Sequence, residues 1–349
     1  NDQNPDSAGY RNYFNYALPV GKEMTFQDNW KVLNDEFSLI SYPQKNNSNQ
    51  FLQLATGYIN YTATFPNQAG GSNYDLYAFA VYKNKTRNQL WDMLASGKLY
   101  INGFHSGDYE AKVYLSRILN TKGNYMKLSF QNYNRTPSAN LLGRTQFPII
   151  GLAGIKKENT IDLMGVIGNY KSEWLAQVNY QLINNYNYFS DGYQANSYNG
   201  AISYLRIQAE KKLKLSTHWN WYNQLNVQLV DQSSPIHVPL ILTRQRLAFE
   251  GNFYKNLNLS TGLELVYHTA YKADGYMPFT GQFYTQNNYT LTNRPVANAF
   301  LHFMIKRLKA YIRLENLNTI IPTNEKLGPS YNFAAQNYPT NSLWFRVGI

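Results

Sequence analysis

The sequence predicts an all-β fold: a transmembrane antiparallel up-and-down β-barrel of about 14–16 strands. Three observations predict it. The first is a two-residue rhythm, clearest from Thr217 to Val230. One face reads Trp219, Trp221, Asn223, Leu225, Val227, Leu229, and the other reads His218, Asn220, Tyr222, Gln224, Asn226, Gln228. Successive side chains of a strand point to opposite faces, so this strand has one apolar and one amide-rich face. The second is composition: aromatics are 16% of the chain, with 31 Tyr, yet mean hydropathy is −0.49. A barrel reconciles the two by turning apolar and aromatic groups to lipid and polar groups inward. The third is charge, only 15% of residues, against roughly 25% in an ordinary soluble domain. Soluble β-sandwiches and β-helices also alternate, but they do not need aromatic girdles.

No apolar run reaches the length of a transmembrane helix. The most apolar stretch, Phe147 to Ile155, is short and contains Pro148. A closed sheet is the other structure that satisfies its backbone within a bilayer. The opening residues Asn1 to Asp6 are polar and acidic, unlike a signal peptide, so the chain reads as a mature or trimmed form. With no Cys, there is no disulfide framework or thiolate metal site.

Taken in order, residues 1–50 are less regular and read either as first strands or as a plug-like segment. From Phe51 the rhythm settles, with Ala55, Gly57, Ile59, Tyr61, Ala63 and Phe65 on one face. A Gly- and Asn-rich turn over 66–73 leads to a strand at 74–83. Thr86 to Ser96 breaks the rhythm, because Leu90, Met93 and Leu94 fit a helical turn or compact loop. Strands follow at 97–104, 108–119 and 124–133, then 147–156, 160–170, 174–187, 201–211, 217–230, 241–254 and 258–271. The last are 278–287, 296–306, 308–317 and 342–349. Lys156 to Asn159 and Lys306 to Lys309 read as tight turns; 190–199, 231–238 and 320–341 read as long loops. Short turns alternating with long loops is the pattern of outer-membrane barrels. The whole chain, 1–349, reads as one domain.

Three segments stand out: Gly97 to Tyr109, with its aromatic strand entering a Gly-Asp-Tyr turn; Tyr267 to Pro278 followed by Gly281 to Gln286; and the closing Tyr338 to Ile349. They resemble the "putative porin" family of the Bacteroidota outer membrane. The resemblance implies an outer-membrane location and passive diffusion of small hydrophilic solutes. It implies outer-membrane lipids and lipopolysaccharide as partners. The alternative is a non-conducting barrel that serves as a subunit or scaffold of a larger outer-membrane complex for secretion, assembly or uptake.

The net charge is +11. A basic chain attracts nucleic acid or anions, but no Lys/Arg run exceeds two, so nucleic acid is not expected. Much of the charge falls on amide-rich faces: Arg206 with Glu210, Arg244 and Arg246 with Glu250, and Lys309 with Arg313 and Glu315. These eight are the candidate lumen residues. They read as an anion-favouring constriction or as structural ion pairs. His218, His268 and His302 lie on polar faces without metal-ligand spacing. No P-loop, dinucleotide fingerprint or Gly-x-Ser-x-Gly elbow is present. The sequence therefore predicts no catalytic, cofactor-binding or metal site.

Overall fold

In the computed structural model, the described residues are 26–65, 68–86, 88–147, 149–154, 156–190, 194–253, 256–278, 280–320 and 332–349. The first half contributes β1 (Asn29–Ser41), β2 (Gln50–Phe65), β3 (Gln68–Lys85), β4 (Trp91–Gly103), β5 (Tyr109–Ile118), β6 (Asn124–Arg135), β7 (Glu158–Asn169) and β8 (Trp174–Asn184). A short hairpin, β9 (Asn187–Ser190) and β10 (Gln194–Ser197), precedes β11 (Ala201–Lys214), β12 (Trp219–Val230), β13 (Ile241–Phe253) and β14 (Leu257–His268). A second hairpin, β15 (Gly275–Met277) and β16 (Gln282–Tyr284), leads to β17 (Val296–Ile305) and β18 (Leu308–Glu315). After one 3₁₀ turn come β19 (Phe333–Ala335), β20 (Tyr338–Pro339) and β21 (Trp344–Gly348).

Fifteen of these strands form one sheet in chain order, β1 through β8, β11 through β14, β17, β18 and β21. Every neighbouring pair is antiparallel. Among the described residues β1 and β21 do not pair, and each is an edge of the sheet. Most strands have 10–16 residues, enough to cross a hydrocarbon core when tilted.

The register sorts the faces. Leu128, Leu163, Val178, Ile207, Leu225 and Leu263 share one face and are exposed there, as befits a lipid-facing surface. The face predicted for 217–230 is found: Trp219, Trp221, Leu225 and Leu229 are exposed, whereas Asn220 and Asn226 are buried on the other side. Ala297, Ala299, Leu301 and Phe303 continue the outer face and align with Leu314, Ile312 and Ala310. In β2 the apolar face is turned inward: Ala55, Ile59 and Ala63 are buried, while Leu54 and Tyr58 are exposed outside.

The two ends differ. At one end the connections are 42–49, 86–90, 119–123, 170–173, 215–218, 254–256 and 306–307; at the other they include 136–157, 185–200, 231–240, 269–295 and 316–343. The long connections bond to one another. Ala195 N–H donates to Ile150 O (2.8 Å), and Thr285 N–H to Phe189 O (2.8 Å). Thr285 Oγ1 donates to Pro235 O (3.0 Å), and Asn293 Nδ2 to Phe333 O (2.8 Å). They bury a small core of their own, with Met277, Leu291 and Ala335 each nearly inaccessible.

Four expectations are corrected. The helical turn expected at 86–96 is a turn followed by the start of β4 at Trp91. The strand expected at 147–156, and the tight turn at 156–159, both belong to the connection before β7; its regular feature is an isolated bridge at Ile150. Pro148 and Gly151 disfavour a strand there, and a Cβ on Gly151 would lie 2.6 Å from Gly143 N. The strand expected at 278–287 shrinks to Gln282–Tyr284. Within 1–50, residues 29–41 are strand β1, and residues 1–25 lie outside the described residues.

Candidate functional site: the charged inner wall

All eight sequence-predicted lumen residues lie on the face opposite the exposed apolar surface. Arg206 aligns with Gln228 and Glu210 with Gln224. Arg244 aligns with the same Gln224 from the other side, and Arg246 with Tyr222. Glu250 faces Ser260, Lys309 and Arg313 face Met304 and Phe300, and Glu315 faces Trp344. One strand period places them there, since residues two apart on a strand share a face.

The pairing within that wall was not foreseeable from neighbours in sequence. Its hub is Glu264, at 6% exposure, on β14 between Leu263 and Leu265. Arg244 grips Glu264 Oε2 through Nε (2.8 Å) and Nη2 (2.5 Å). Arg313 Nη2 lies 3.7 Å from Glu264 Oε1. Arg313 Nε is 3.6 Å from Glu315 Oε1, and Arg346 Nε is 3.2 Å from Glu315 Oε2. The result is an alternating ladder, Arg244–Glu264–Arg313–Glu315–Arg346, running around the wall from β13 to β21. Three cations and two carboxylates leave one positive charge. The alternation of Leu259, Leu263 and Leu265 with Glu264 is the signal that could have identified the hub.

The other predicted residues stand off this ladder. Glu250 makes no ion pair among the described residues; it accepts hydrogen bonds from Asn220 Nδ2 (2.7 Å) and Tyr222 OH (2.8 Å). Glu210 accepts Gln208 Nε2 (2.7 Å). Arg246 lies over the Phe300 ring, 4.3 Å from its centroid, and over Tyr222 at 5.3 Å. Its Nη2 donates to Ser260 Oγ (3.3 Å), and its buried Nε has no partner. Arg206 Nε is likewise buried without a partner. Neither arginine makes an ion pair among the described residues. A cavity of about 500 Å³ lies against this part of the wall, bounded by Glu210, Lys212, Tyr222, Gln224, Arg244 and Arg246. Among the described residues no cluster of His and acids could hold a metal ion. His268 and His302 lie on the inner face, whereas His218 precedes β12 with Nδ1 3.2 Å from Glu250 O.

A 15-stranded antiparallel sheet with an apolar outer face, a polar charged inner face and loops of unequal length at its ends defines an outer-membrane β-barrel protein. The model of the family described as "Putative porin" matches residues 4–349, and the chain belongs to that family. The fold is also that of solved outer-membrane receptors. The ferric enterobactin receptor of Pseudomonas aeruginosa, in complex with BCV-L6, superposes with a TM-score of 0.62 at 13% identity, over 92% of this chain and 54% of that one. The siderophore receptor PirA of Acinetobacter baumannii gives 0.62 at 10%, over 95% and 55%. The FrpB iron transporter of Neisseria meningitidis gives 0.61 at 10%, over 92% and 55%. The chain thus spans just over half the length of these receptors. It matches no curated protein sequence. Family and fold together place the protein in the outer membrane as a β-barrel.

Proposed function

We propose that the protein is a non-enzymatic outer-membrane channel through which small hydrophilic solutes diffuse passively, anions more readily than cations. The observation that carries this reading is the inner wall: the ladder keeps a positive surplus, and Arg206 and Arg246 on the same face make no ion pair among the described residues. Positive side chains lining a confined aqueous path attract anions and repel cations. Glu210 and Glu250 on the same wall cancel part of that field, so the preference is modest and weakens at high salt as screening shortens its reach.

The test is conductance in planar bilayers, with the reversal potential read across a salt gradient. The parent should conduct with an anion bias, and Arg206→Gln/Arg246→Gln should shift the reversal potential toward cations. An unchanged potential takes both arginines out of the conducting path. A silent parent favours a second reading, a non-conducting barrel within a larger outer-membrane complex. That reading draws on the mutually bonded long connections at one end and on the edge strands β1 and β21, which do not pair with each other among the described residues.

A further inference from the structure

A second constructed feature sits on the early strands, at the end of the long connections, and the channel reading makes no use of it. Asp75 of β3 is fully buried. Its Oδ1 accepts the backbone N–H of His105 (2.7 Å), and its Oδ2 lies 2.5 Å from His105 Nδ1. Nδ1 is thereby taken, and Nε2 has no hydrogen-bond partner among the described residues. Aromatic rings hold the imidazole in place: Phe104 at 4.7 Å, Tyr61 at 5.6 Å and Tyr100 at 5.8 Å between centroids.

Against this cluster opens a cavity of about 260 Å³. Trp30, Tyr61, Phe104 and Pro137 supply apolar walls, while His105 and Arg144 are its ionisable groups. The Arg144 guanidinium lies 4.1 Å from the Phe104 ring centroid and makes no ion pair among the described residues. The segment presenting it is well tied. Arg144 N–H donates to Ala139 O (2.8 Å). The next two residues donate to the Asp28 carboxylate, Thr145 through Oγ1 and Gln146 through its N–H (2.9 Å).

Aromatic walls suit a ring. A half-desolvated guanidinium with no carboxylate of its own suits an anion, and its fork of donors matches a carboxylate best. The volume falls below the range of drug-sized pockets, which limits the occupant to about one ring. We propose that this cleft binds a small single-ring carboxylic acid, its ring against Trp30, Tyr61 and Phe104 and its carboxylate on Arg144, with His105 Nε2 as a second polar contact. Longer connections of outer-membrane barrels face the cell exterior. The cleft therefore meets incoming solutes ahead of the charged ladder.

The test uses the full chain in detergent with benzoate as the probe, followed by saturation-transfer NMR after subtraction of empty micelles. Binding should saturate and be about tenfold tighter than that of benzyl alcohol, which has the ring without the carboxylate; tenfold corresponds to about 1.4 kcal/mol. Arg144→Gln should weaken benzoate about tenfold, and Arg144→Lys should restore part of the loss. Galacturonate that displaces benzoate extends the ligand class to sugar acids; failure to displace restricts it to flat rings. Equal binding of benzoate and benzyl alcohol by the parent overturns the proposal, whether or not the variant folds. So does benzoate binding that Arg144→Gln leaves unchanged. The measurement needs no conductance, so it stands or falls separately from the channel reading.

Discussion

The inner wall is organised in two ways. From β13 to β21, cations face carboxylates on neighbouring strands and form the ladder centred on Glu264. From β1 to β4, charges meet aromatic rings. Lys98 Nζ lies 3.8 Å from the Tyr77 ring centroid and 4.8 Å from that of Tyr100. Tyr77, at 2% exposure, donates its hydroxyl to Glu36 (2.8 Å). Space decides the second arrangement. Gly57 lies opposite Tyr77, and a Cβ there would stand 2.3 Å from the ring. The late strands are thus held by complementary charge and the early strands by shape. The first should respond to salt and the second should not.

The largest effect that separates the two is at Glu264. Glu264→Gln strips Arg244 of its counter-charge and leaves Arg313 with Glu315 alone, while keeping the side chain's size. A charge-assisted hydrogen bond contributes about 1.5–3 kcal/mol, and breaking a buried ion pair costs more. Arg244 is half exposed, so the expected loss is about 2–3 kcal/mol, read from denaturant unfolding in detergent. The loss should shrink as salt rises. A variant as stable as the parent would remove the ladder as a stabilising device.

Next in size is Gly57→Ala. The added methyl must push the Tyr77 ring off β2 and away from Glu36, and overpacking of this kind costs about 1–3 kcal/mol. Tyr77→Phe alone should cost about 1 kcal/mol, the value of its hydroxyl bond. The double variant should cost less than the sum, because both changes break the same contact. A strong salt dependence at Gly57→Ala would dissolve the contrast between the two walls.

How far the sequence discloses this depends on which chemistry is in charge. The strand rhythm is legible wherever one face meets lipid, as in β12, β17 and β18, because water and lipid sort the side chains at every second position. It blurs at β4, where Leu94 points inward between Asp92 and Ser96 and Met93 points outward, so apolar residues stand on both faces. It misleads at 147–156, where an apolar run packs among connections. In β2 the alternation is plain but does not tell inside from outside, since Ala55 and Ile59 line the inner wall, Ala55 between Ser38 and Phe79 and Ile59 between Asn34 and Asp75. The charged wall is half legible. Period two gives the face of all eight predicted residues, but the Arg244–Glu264 pair joins residues 20 apart and depends on the β13–β14 register. No local spacing encodes that register. The Asp75–His105 contact has the same origin: the turn holding His105 is readable, and its buried acceptor on β3 is not.

The smallest expected effect lies in the connections, where neither arrangement operates. His237, in the segment 231–240, is half buried, and its buried Nδ1 has no partner. Burial, followed by the nearby charge of Lys272, holds its pKa below the ordinary 6.5. A depressed folded-state value means that the native segment binds fewer protons than the unfolded one. Its stability is therefore fully present above about pH 6.5 and is lost as pH falls below that. The segment is anchored by Thr285 Oγ1 on Pro235 O (3.0 Å), and Tyr198 OH lies 3.4 Å from Ser233 Oγ. Protonation of His237 should loosen these contacts while leaving both walls of the sheet untouched. Amide exchange at Ser234 and Ile236, corrected for the intrinsic pH dependence, should accelerate between pH 7.5 and pH 5.5, and His237→Gln should flatten that rise. An equal rise in parent and variant would move the pH sensitivity to another group. Acceleration that extends into β13 would show that the connections and the sheet open together, so the division between a charge-held wall, a shape-held wall and separately opening connections would no longer stand.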